Sequence, residues 1–69
     1  MDQTKLKGHM ARHGDRQVDL ANAMGISLSR LNAKINETSG AELTQTEIAF
    51  IATRYQLTPQ EIDACFFAL

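Results

Sequence analysis

With 69 residues and a formal net charge of −1, the chain has material for one modest core, so residues 1–69 are read as a single domain with no separate catalytic or ligand-binding domain expected. Its 43% apolar and 22% charged content and single proline fit a folded chain and exclude a disordered or low-complexity one. Charge is unevenly spread, since Lys5, Lys7, Arg12, Arg16, Arg30 and Lys34 stand against Asp2, Asp15 and Asp19, whereas beyond position 36 Arg54 stands against Glu37, Glu42, Glu47, Glu61 and Asp63. That balance, +3 against −4, suits one half to an anion and the other half not.

Periodicity predicts five short helices and no strand, an all-α fold. The first runs from about Gln3 to His13 with Leu6 and Met10 inward, and Gly14 is placed to take the left-handed conformation that ends a helix. The second covers about Arg16 to Met24, capped near Asp15, with Leu20, Ala21 and Met24 on one face and Gly25 closing it. The third follows at once, with Ser27 as N-cap and Leu28, Leu31 and Ile35 as an i, i+3, i+7 apolar stripe. After a loop from Glu37 to Leu43, Thr44-Gln45-Thr46-Glu47 has the spacing of a capping box and opens a fourth helix to about Tyr55, with Ile48, Ile51, Ala52 and Tyr55 inward. Thr58-Pro59-Gln60-Glu61 repeats the box and opens the fifth, with Ile62, Phe66 and Leu69 inward. Cys65, among apolar neighbours, reads as a small buried side chain. With no apolar leader and no run of eighteen apolar residues, the expected location is cytoplasmic, away from membranes.

The informative segment is Gln17-Val18-Asp19-Leu20-Ala21-Asn22-Ala23-Met24-Gly25-Ile26-Ser27-Leu28-Ser29-Arg30-Leu31. Two short helices joined by a three-residue turn that starts with glycine, with a small residue where the helices approach, meet the requirements of a helix-turn-helix; an ordinary helical hairpin is the alternative. Opposite the apolar stripe, the third helix carries Ser29, Asn32, Ala33 and Asn36. Ser29 can donate or accept toward several base edges, Asn32 has the amide fork that suits adenine, and Ala33 can lie against a thymine methyl. Arg30 and Lys34 flank this face, where guanine or phosphate contact is open to them. The competing reading of all six is a solvated helix face.

The pattern Gln17-x-x-Leu20-Ala21-x-x-x-Gly25-Ile26-Ser27-x-Ser29-x-Leu31 resembles the helix-turn-helix of the Cro/CI (XRE) family of phage and bacterial regulators. Lys34-Ile35-Asn36, Leu43-Thr44-x-x-Glu47-Ile48, Ile51-Ala52, Leu57-Thr58-x-x-Glu61-Ile62 and Phe66-Phe67 extend the likeness over most of the chain. The resemblance implies a five-helix, lambda-repressor-like bundle whose third helix enters the major groove of operator DNA, usually as a dimer. It also implies phosphate contact by Gln17 and Asn36, a footprint that Arg16 would extend. In the family a glutamine often stands where this chain has Leu28, so either a base contact is lost or the leucine meets a thymine methyl or the core. Glu37 replaces the family's glycine after Asn36 and brings a carboxylate near the path of a phosphate.

The sequence thus assigns Leu28, Ser29, Arg30, Asn32 and Ala33 to base readout, and Gln17, Arg16, Lys34 and Asn36 to phosphate. Phe50 and Phe67 fall outside the apolar stripes, and are expected near the surface as homodimer contacts or as part of a larger core. His9 and His13 lie one turn apart, but nothing completes a metal site. No phosphate loop or nucleophile–base set is present, so no enzyme activity, small-molecule substrate, cofactor or metal is expected. The leading expectation is a transcriptional regulator that occupies double-stranded operator DNA. The near-neutral charge supports a rival, a protein-binding module or antitoxin-like component that keeps the fold.

Overall fold

The computed structural model describes residues 1–67, and the regular structure among them is helical throughout. The order is α1 (Gln3–Arg12), α2 (Gln17–Met24), α3 (Leu28–Asn36), a 3₁₀ turn (Thr38–Gly40), α4 (Gln45–Arg54) and α5 (Pro59–Ile62), which runs on as a π-helical segment (Asp63–Phe67). Among the described residues no helix is long and apolar enough to cross a membrane. Leu69, expected inward on α5, lies outside the described residues.

Local chemistry accounts for most helix starts. The Ser27 hydroxyl accepts from the Arg30 amide at 3.1 Å, and reciprocal capping boxes form between Thr44 and Glu47 and between Thr58 and Glu61. The cap expected at Asp15 is a correction: α2 starts after Arg16, whose amide donates at 2.9 Å to Asp19. Asp15 is drawn elsewhere, to α4.

Three helices end in the same way. The Asp15, Ile26 and Leu57 amides donate back to the Met10, Ala21 and Ala52 carbonyls at 2.9, 3.0 and 2.9 Å. The residue before each donor has a positive φ: Gly14 (63°), Gly25 (74°) and Gln56 (54°). This is the Schellman closure, which satisfies orphan carbonyls but needs a left-handed residue. Glycine meets that need freely in α1 and α2, whereas Gln56 meets it at a steric cost.

The core gathers Leu6 and Met10 of α1, Leu20 and Ala21 of α2, Leu31 and Ile35 of α3, Ile51 of α4 with the adjoining Tyr55, and Cys65 and Phe66 of the π-helical segment. Truncating any of the larger ones removes transfer energy and leaves a void, at about 2–5 kcal/mol for leucine or isoleucine to alanine. Cys65 is fully buried, as expected, and burial pushes its thiol pKa up.

Leu28 departs from its expected stripe: it is 41% exposed, against 0% and 1% for Leu31 and Ile35. In the turn before it, Ile26 packs against the core, whereas Leu28 stays outside it. The sequence left the core or the outside open for this leucine, and the structure turns it outward.

Candidate nucleic-acid interface

Two long-range side-chain ion pairs tie the α2–α3 region to α4. Arg54 donates to Asp15 from Nε at 2.8 Å and from Nη2 at 3.0 Å, and the Tyr55 hydroxyl donates to the same carboxylate. The hydrogen bonds from Arg54 hold the Asp15 carboxyl below its usual range, with Tyr55 assisting against the cost of burial. Burial, reinforced by the acceptor Asp15, pushes the Tyr55 hydroxyl well above its ordinary value. This cluster ties the turn before α2 to the end of α4. In the second pair, Lys34 Nζ donates to both Glu47 oxygens, at 2.8 and 2.9 Å, and so ties α3 to the first turn of α4.

Between these anchors α2 and α3 pack against each other across Gly25, Ile26 and Ser27. The nine residues of α3 span about 13 Å at 1.5 Å each. A helix is about 10–12 Å across with its side chains, a width that a major groove about 12 Å wide admits.

The structure distributes the expected site residues unevenly. Leu28, Ser29, Arg30 and Asn36 are exposed on α3, Asn32 and Ala33 are half-buried on the same helix, and Gln17 is half-buried at the start of α2. Among the described residues Arg30 has no acidic partner, so its guanidinium is available to an anion. Lys34 requires a correction. It was expected on the flank beside Arg30, yet it is buried with its ammonium bound by Glu47, in a depression shared with Leu43, Ile48 and Phe66.

Arg16 is exposed but bonded through Nε and Nη2 to Asp19 at 3.0 and 3.2 Å. That bonding also holds the Asp19 carboxyl below its usual range. An approaching phosphate would have to compete with this carboxylate. Arg12, at the end of α1, has Nη1 3.4 Å from His9 Nδ1 and lies within electrostatic reach of Glu61. Of the four cations Arg12, Arg16, Arg30 and Lys34, Arg16 and Lys34 are thus held by carboxylates.

The histidines also separate: His9 is buried, whereas His13 is exposed and places its ring 5.2 Å from that of Tyr55. Phe50 and Phe67 are 40% and 50% exposed, in line with their exclusion from the apolar stripes. They border different depressions, Phe50 with Thr46, Ala49 and Thr53, and Phe67 with Leu43, Ile48 and Phe66. Sequence reasoning missed Glu47 and Asp15 as the groups that position the α2–α3 pair. The Thr44-x-x-Glu47 spacing located Glu47 at a helix start but carried no sign of its second partner.

Comparison with protein-family models, with curated proteins and with solved structures returns no match for this chain.

Proposed function

We propose that the chain is a sequence-specific DNA-binding regulator of the Cro/CI type, with α2 and α3 as its helix-turn-helix and α3 in the major groove of operator DNA. The observation that carries this reading is the α2–α3 pair itself. Its three-residue turn is closed by left-handed Gly25, and α3 presents Ser29, Arg30 and Asn36 outward while its other cation, Lys34, is spent on anchoring. In this reading Leu28, Ser29, Arg30, Asn32 and Ala33 face base edges, and Gln17, Asn36 and Arg16, once released from Asp19, meet phosphate. Binding is modest in strength, because few cations are free and backbone neutralisation supplies much of the affinity for DNA. Two copies on one operator would set their α3 helices about 34 Å apart, one helical turn of DNA. Phe50 or Phe67 would lie at the contact between them.

The pairing of Arg16 and Lys34 with carboxylates, together with the net charge of −1, favours a second reading, in which the same fold holds a protein partner. Enrichment of duplexes from a pool with a random 20-base-pair core separates the two. A regulator enriches one consensus; a protein-binding module leaves the pool unchanged.

A further inference from the structure

On the outward side of α3, Leu28 is the one large apolar residue. It is the first residue of the helix, where a recognition helix faces base edges. Neither the cap nor the core contact of the turn uses it, since Ser27 caps α3 and Ile26 packs on the core, and Leu28 is absent from the core cluster. At a base edge its side chain can neither donate nor accept a hydrogen bond. The apolar group that a pyrimidine displays in the major groove is its C5-methyl.

Resting on the DNA-binding reading above, we infer that Leu28 is a specificity-determining residue that packs on the C5-methyl group of a pyrimidine. Thymine and 5-methylcytosine both present this group. The neighbouring residues complement the contact: Ser29 offers a hydroxyl to an adjacent base edge, and Arg30, free of acidic partners among the described residues, offers its guanidinium to another. A polar residue at position 28 would read a donor or acceptor, whereas leucine reads a methyl.

The test uses the duplex enriched from the random pool. Each thymine is replaced in turn by deoxyuridine and each cytosine by 5-methylcytosine, and binding is followed by fluorescence anisotropy for the wild type, Leu28→Ala and Leu28→Met. Circular dichroism verifies that all three are folded. One methyl group packed against leucine corresponds to about fourfold in affinity. Removing the methyl from the one thymine that Leu28 contacts in a single half-site therefore weakens the wild type and Leu28→Met about fourfold and leaves Leu28→Ala unmoved. If adding a methyl to one cytosine instead strengthens only the wild type and Leu28→Met, methylcytosine is the group read. Exchanges that move all three proteins equally overturn the role of Leu28 while leaving DNA binding in place. A pool from which nothing is enriched overturns both.

Discussion

Replacing Lys34 by methionine keeps the aliphatic stem of a buried side chain and removes the ammonium that Glu47 binds with both oxygens. Breaking a fully buried ion pair costs about 3–5 kcal/mol, and an exposed pair contributes about 0–1 kcal/mol. The two side chains here are 10% and 19% exposed, between these limits and nearer the buried one. A loss of about 2 kcal/mol follows, which for a chain of this size lowers the thermal midpoint by roughly 10 °C. The loss also depends on pH. Burial works to raise the Glu47 carboxyl pKa, but Lys34 and the Thr44 amide outweigh it and hold the carboxyl below its ordinary 4.5. A depressed carboxylate stabilises the fold above its ordinary pKa and loses that contribution as pH falls through the folded value. The deficit of Lys34→Met is thus full at pH 7 and shrinks in acid below pH 4.5. Thermal unfolding followed by circular dichroism at pH 7 and pH 3 reads both effects. A variant that melts with the wild type at pH 7, yet binds DNA with a shallower salt dependence, would refute this account and return Lys34 to the phosphate contact.

Asp15→Asn removes the carboxylate shared by Arg54 and Tyr55, at about 2 kcal/mol for charge-assisted hydrogen bonds. Because its carboxyl is held below the ordinary 3.8, the wild type's advantage in a melting series is complete above that pH and narrows below it. Gln56→Gly relieves a left-handed residue at the end of α4 and raises stability by roughly 0.5–1 kcal/mol in urea unfolding, with an unchanged m-value. Asp19→Asn releases Arg16, and in DNA titrations it steepens the slope of log K against log salt by about 0.9, the value of one added phosphate contact.

Much of the fold was legible because its signals are local. The threonine and glutamate of each capping box are three residues apart, and Gly14 and Gly25 mark turns at the residue that turns. What could not be read depends on distance along the chain. Asp15 and Arg54 are 39 residues apart, and Lys34 and Glu47 are 13 apart, so no window long enough for one helix contains either pair. Their absence from the sequence reading is why Asp15 was expected to cap α2 and Lys34 to face phosphate. Leu28 was left open for a subtler reason: helical spacing puts it near Leu31 and Ile35, yet it is exposed while Ile26 of the preceding turn packs on the core. Left-handed Glu37, Ser39 and Gln56 carry no glycine to announce them, and the π-helical continuation of α5 follows no change of periodicity. Within the candidate site, the identity of the outward α3 residues was readable, whereas the state of the surrounding cations was not.

The most direct measurement is an anisotropy titration of the enriched duplex and a scrambled duplex at 50 and 200 mM salt, with the wild type and the double variant Asn32→Ala, Arg30→Ala. Operator recognition through α3 predicts salt-sensitive binding that favours the enriched duplex and is lost in the double variant, with folding unchanged by circular dichroism. Equal binding of both duplexes, or equal binding by both proteins, would contradict it.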